Sequence, residues 1–258
     1  MNADSSSLSG GVLTEGVLSR GVRSELLRYV SGYSVLGVLA FSGLVPWFVA
    51  NFLGWPDNSG ALSAATNIQT FWALAASNAP VAGFAGSYLV AREAYYGTLR
   101  RSVVMSGLTQ VFVAKYAAAA VVGLTTAATG VLLWGGSIFL AVPSETSAQL
   151  LTSESLGEVP GLLVASLLSS LWGCSLGWIV RNYYATALLT LVVPFALELP
   201  LIVNEPGIGR WLPSGALAGI LSLPLDHLLR PFPALLVSVA WVAVLATCAA
   251  RVVKGREG

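Results

Sequence analysis

Residues 173–177 read GCSLG, which has the G-x-S-x-G spacing of a nucleophile elbow with Ser175 as the attacking group. The one histidine, His227, stands beside Asp226, so a hydroxyl, an imidazole and a carboxylate are all present. The setting does not suit that chemistry. An elbow needs a strand, a sharp turn and a helix, whereas GCSLG lies inside a continuous apolar run. Gly173 and Gly177 also make a G-x-x-x-G pair, the spacing that lets two helix backbones approach closely.

Two further positions invite a role. Glu198 is the single ionisable residue within an apolar run and is bracketed by Pro194 and Pro200. Charges in membranes are costly and often functional, so Glu198 is a candidate for a substrate path, a pair with Arg210 or an interfacial site. Asn78 with Pro80 reads as a kink whose freed backbone groups find partners, and Asn78 is the second candidate for a substrate path. Nucleotide chemistry is missing from the chain itself. A phosphate-binding loop needs G-x-x-x-x-G-K-[ST], and the two lysines, Lys115 and Lys254, are followed by Tyr116 and Gly255. The two cysteines, Cys174 and Cys248, fall in apolar runs, and no metal-ligand cluster is visible. The residues therefore predict neither a catalytic group nor a metal or cofactor held by this chain.

The elements that must position these residues follow from composition. The 258 residues are 55% hydrophobic and 10% charged, with mean hydropathy +0.77; a soluble domain carries about 25% charged residues. This is the composition of an integral membrane protein, and at about 20 residues per crossing it has room for about six spans. Net charge is +1, which gives no global basic field for nucleic acid. Residues 1–17 read as a polar, disordered cytoplasmic tail, and residues 18–258 as a single membrane domain. The N-terminus lacks the basic cap, apolar core and small-residue site of a cleavable signal, so the first span is expected to do the targeting.

Leu18, Val22, Leu26, Tyr29 and Val30 fall on one helical arc opposite Arg20, Ser24 and Arg28, the pattern of an amphipathic helix lying on the membrane surface. Uncharged runs then predict spans at about 33–53, 68–91, 116–142, 161–180, 183–203 and 233–250. With both termini inside, the inner segments hold Arg20, Arg23, Arg28, Arg92, Arg100, Arg101, Lys115, Arg181, Arg251, Lys254 and Arg256, and the outer ones only Arg210 and Arg230. That is the positive-inside distribution. Counting residues 211–225 as a seventh span would put the basic tail outside, so this stretch reads as re-entrant or interfacial helices. Trp47, Trp55, Trp211 and Trp241 suit the aromatic belt.

Residues 91–115, AREAYYGTLRRSVVMSGLTQVFVAK, carry five charges, each costing about 2.5 to 3.5 kcal/mol at a bilayer centre. They read as a cytoplasmic segment between the second and third spans, with a helix over 98–105 punctuated by Gly97 and Gly107. It is longer than a link requires, and a docking helix for a cytoplasmic partner is the functional reading.

Together these features resemble the permease subunit of type-2 ABC exporters, the ABC-2 family. The resemblance rests on the surface helix, the six spans, the segment E-x-x-x-G-T-L-R closing on Lys115, and the proline-containing WLPSGALAGIL. Ser106, Gly107 and Gln110 depart from the proline and arginine that such permeases often show there. The resemblance implies an all-α protein of the bacterial plasma membrane in which Glu93, Gly97, Thr98, Leu99, Arg100 and Arg101 form a coupling helix against a separate cytoplasmic ATPase, which holds ATP and Mg. It implies a dimer with the same or a homologous permease chain, surrounding lipid, and export of a hydrophobic or amphiphilic cargo such as an antibiotic, peptide or lipid-linked compound. Two alternatives stand beside it. One is an intramembrane serine hydrolase using Ser175 and His227, although Leu176 breaks the G-x-S-G of rhomboid proteases. The other is an ion-coupled carrier with Glu198 as its proton site.

Overall fold

A chain so apolar can satisfy its backbone in hydrocarbon only as helices or a closed barrel. The computed structural model describes residues 15–255 except Pro56, Asn58, Pro143, Leu151, Pro224 and Asp226, and among these residues there is no strand. The chain runs from α1 (Glu15–Val30) to α2 (Ser34–Leu53), then α3 (Ala64–Ala76), α4 (Ala79–Tyr95), α5 (Thr98–Ser106) and α6 (Leu108–Ala141). Short helices α7 (Ser144–Leu150) and α8 (Ser153–Leu156) precede α9 (Val159–Val180). A continuous helical run follows, made of α10 (Tyr183–Ala187), two wider π-helical segments at Leu188–Val192 and Pro194–Glu198, and α11 (Leu199–Asn204). The chain ends in α12 (Pro206–Gly209), α13 (Pro213–Ile220) and α14 (Pro231–Gly255).

Among the described residues, five helical stretches are long and apolar enough to cross a membrane: Ser34–Asn51, Leu108–Ala141, Val159–Val180, Tyr183–Asn204 and Pro231–Gly255. The structure is that of an all-helical, multi-pass membrane protein. The expected span at 68–91 is instead two helices, α3 and α4. Pro80 lacks an N–H and its ring crowds the carbonyl four residues back, so the Ser77 and Asn78 amides fall back on Leu74 and Ala75 carbonyls, each at 3.1 Å. The α6 helix holds both sides of the break. Asn78 Nδ2 donates to the Thr126 carbonyl at 3.0 Å and Trp134 Nε1 to the Phe71 carbonyl at 3.2 Å.

Helix boundaries correct the sequence reading at three other places. The tail expected over 1–17 gives way to helix at Glu15, while residues 1–14 lie outside the described residues. The helix that carries the apolar run expected at 116–142 starts at Leu108, and at 1.5 Å per residue its 34 residues measure about 51 Å, more than a hydrocarbon core of about 30 Å requires. Lys115, expected to close a solvated segment, is therefore a helix-interior residue with 0% exposure. Trp55, expected in the aromatic belt, is buried and donates to Asn67 Oδ1 at 3.2 Å.

Two apolar clusters fill the bundle. One, at the end where α1 and α5 lie, includes Tyr29, Tyr88, Leu99, Trp178 and Val253; the other includes Trp55, Phe71, Trp72, Trp134 and Leu162. Between them α4 and α9 cross at backbone contact, and a Cβ on Gly173 would overlap the Gly83 carbonyl. Two serines tie α9 to its neighbours: Ser169 Oγ donates to the Ala79 carbonyl of α4 and Ser170 Oγ to the Ala119 carbonyl of α6, both at 2.7 Å.

Candidate functional site: a charged junction beneath a short surface helix

At the α1 end of the bundle the spacing of the amphipathic helix does something the apolar arc alone does not indicate. Glu25 shares the arc with Val22, Leu26 and Tyr29, and both Glu25 and Tyr29 are buried. The carboxylate meets Lys115 of α6, whose Nζ lies 2.7 Å from Glu25 Oε2, 3.1 Å from Glu93 Oε2 and 2.8 Å from the Leu89 carbonyl. Two of these contacts are aligned hydrogen bonds, and the Glu93 contact is an ion pair off the hydrogen-bonding direction.

Arg28 closes the arrangement from the solvent side. Its Nη1 is 3.2 Å from Glu25 Oε1 and 3.4 Å from Glu93 Oε1, and it donates to Ser102 Oγ at 3.1 Å. Each carboxylate thus faces Lys115 with one oxygen and Arg28 with the other, so two cations and two anions alternate and the group is formally neutral. A buried charge is tolerable on these terms, because removing one member strands the rest in a low dielectric. Arg92 adds a second tie: Nη2 donates to the Arg28 carbonyl at 3.0 Å and Nη1 to Tyr88 Oη at 3.2 Å. A cation at the last turn of α1 is favoured by the helix dipole. Burial, and then the neighbouring Tyr88, push the Tyr29 phenol up to about 12 against the opposing pull of Arg92, so it stays protonated beside this cluster.

The α5 helix is laid across the cluster. Gly97 and Gly107 turn the chain with φ of 73° and 81°, conformations that suit glycine, and they delimit Thr98–Ser106. Thr98 Oγ1 donates to the Glu93 carbonyl at 3.3 Å. Leu99 is buried and Val103 packs beside it, so the helix is rooted in the first apolar cluster. Its outer face carries Arg100, Arg101, Val104 at 77% exposure and Met105 at 74%, and Tyr96 is also exposed. This surface is basic and apolar at once.

The six residues assigned to coupling therefore separate. Gly97, Thr98, Arg100 and Arg101 are exposed, whereas Leu99 faces inward and Glu93 belongs to the buried cluster. Sequence reasoning passed over Glu25 and took Lys115 for a loop residue. The available signal is an acid placed on the apolar arc of an amphipathic helix and a lone lysine within a helix-length apolar pattern.

Glu198 does not pair with Arg210. Its Oε2 accepts from the Ser214 backbone N–H at 2.7 Å, at the start of α13, where unsatisfied amides and the helix dipole favour an anion. Arg210 instead lies over the Trp211 ring at 5.6 Å. Glu198→Gln should lower stability by about 1–2 kcal/mol, measured as a small drop in the melting temperature of detergent-solubilised protein. An unchanged melting temperature would mean the contact contributes nothing.

Ser175 lies inside the unbroken α9 and is buried; its Oγ donates to the Leu171 carbonyl at 2.9 Å and shares a 2.8 Å hydrogen bond with Tyr116. His227 lies in the connection before α14 with φ of 62°, and Asp226 falls outside the described residues. The far end of α14 packs with Cys174 and Trp178, so the helix separates Ser175 from His227 rather than bringing them together. Cys174 is buried and Cys248 exposed, and both are free thiols. No protein-family model matches this chain, and no curated protein matches it.

Proposed function

We propose that this chain is the membrane-spanning subunit of an ATP-driven exporter, in which α5 is the surface that receives a separate cytoplasmic ATPase. The observation that carries the reading is α5 itself, a nine-residue helix that joins two bundle helices, is rooted below by Leu99 and Ser102, and offers Arg100, Arg101, Val104 and Met105 outward. The sequence agrees from another side: it contains no phosphate-binding loop, so ATP and Mg belong to a partner. On this reading α3 and α4 form one discontinuous crossing, giving six, with both termini in the cytoplasm of a bacterial plasma membrane. Two permease chains pair around a path for a hydrophobic or amphiphilic cargo.

Closure of the ATPases would press on α5. Its ties run to α4 through Glu93 and to α1 through Arg28, while α6 follows it after Gly107, so the load reaches three helices together. Arg100→Glu with Arg101→Glu should reduce co-purification of the co-expressed ATPase at least tenfold, because both side chains are exposed and the charge change touches nothing in the core. Retention of an intact, ATP-responsive assembly by this variant would overturn the coupling role.

A further inference from the structure

Once α1 has turned Glu25 and Tyr29 inward, its remaining surface is divided in two. Val22, Leu26, Leu27 and Val30 line a shallow apolar groove along the helix. Beside it, Arg20, Arg23 and Arg28 line a polar depression, with Arg23 and Leu27 common to both. The acid that would neutralise these arginines, Glu25, is buried and held by Lys115 and Arg28. Arg23 makes no hydrogen bond or ion pair among the described residues. Among the described residues, Arg20 spends only its Nε, on the Gly16 carbonyl at 2.9 Å. Four residues after Val30 the membrane-length helix α2 begins, with Leu36 exposed in its first turn, which sets the two grooves at the depth where hydrocarbon gives way to headgroups.

We infer that α1 carries a binding site for an anionic phospholipid, with an acyl chain along Val22, Leu26, Leu27 and Val30 and the phosphate at Arg20 and Arg23. An amphiphile with one apolar and one anionic part matches both grooves at once. A zwitterionic lipid gains less, because its own cation offsets the arginines. Arg28, already engaged with Glu25, Glu93 and Ser102, sets the boundary of the site on the protein side. The site rests on the surface of α1 alone and stands whether or not the chain belongs to an exporter.

The test uses the full chain purified in neutral detergent, with lipid retention read by native mass spectrometry against phosphatidylglycerol and phosphatidylcholine of the same acyl composition. Wild type should retain phosphatidylglycerol in preference. Arg20→Gln with Arg23→Gln should weaken that binding about 30-fold, each charge near a headgroup being worth about a factor of five, and leave phosphatidylcholine unchanged. Both arginines are exposed, so the variant should keep the wild-type melting temperature, and Arg230→Gln, far from α1, should bind as wild type does. Equal retention of the two lipids by wild type, or undiminished phosphatidylglycerol binding by the double variant, overturns the inference. So does complete displacement by millimolar inorganic phosphate, which would make this a site for the free anion.

Discussion

Lys115→Met should release α1 from the bundle and lower stability by about 3–5 kcal/mol, the usual cost of breaking a buried ion pair from one side. The substitution keeps the volume of the side chain but leaves Glu25 and Glu93 buried with only the half-exposed Arg28 between them. Their mutual repulsion, no longer offset from below, favours swinging Glu25 and the helix that bears it into water. For a chain of this size the melting temperature should fall by roughly 10 °C, and trypsin should cut at Arg20 and Arg23 well before it cuts elsewhere. Removing all three groups as Glu25→Leu, Glu93→Leu and Lys115→Met should recover most of the loss, since apolar replacement of a complete buried ion set is often neutral. A single Lys115→Met variant that melts with wild type would show that the cluster contributes little to holding α1.

Gly173→Ala should cost about 2–3 kcal/mol, at the upper end of ordinary overpacking, because the new Cβ would meet the backbone carbonyl of Gly83 rather than a side chain that can turn aside. The α4–α9 crossing would have to open along its length, taking the hydrogen bond from Ser169 to the Ala79 carbonyl with it. Gly136→Ala is the matched control: it lies on the exposed side of α6 with nothing within 4 Å of its Cβ position, and helix propensity favours alanine there. Thermal unfolding of the two variants side by side decides the matter, and equal melting temperatures would remove the claim that α4 and α9 meet backbone to backbone.

Local chemistry made α5 legible: Gly97 and Gly107 delimit it within one residue of expectation, because left-handed turns at a helix boundary are written in the glycines themselves. The short turn between α9 and α10 was legible from the apolar runs that end at 180 and resume at 183, and the structure adds Asn182 as a cap that accepts from the Ala185 N–H. The charged cluster was not legible by the same means. Per-residue membrane costs treat Lys115 as an isolated ion, and its compensating partner Glu25 lies 90 residues away in sequence. Pro80 announces a disturbance in the apolar run at 68–91, but the division of that run into two helices is held by a distant partner, the Thr126 carbonyl that accepts from Asn78. Glu198 escapes side-chain matching altogether, because its partner is a backbone amide of Ser214.

The separation between Glu25 and Lys115 also bears on biogenesis. The ammonium that receives Glu25 is added 90 residues after it, roughly 5 to 18 seconds at ribosomal rates of about 5–20 residues per second. Through that interval Glu25 lacks the Lys115 counterion it has in the folded chain, and burying it would be costly. Docking of α1 is consequently expected to follow synthesis of the α6 N-terminal turns that carry Lys115.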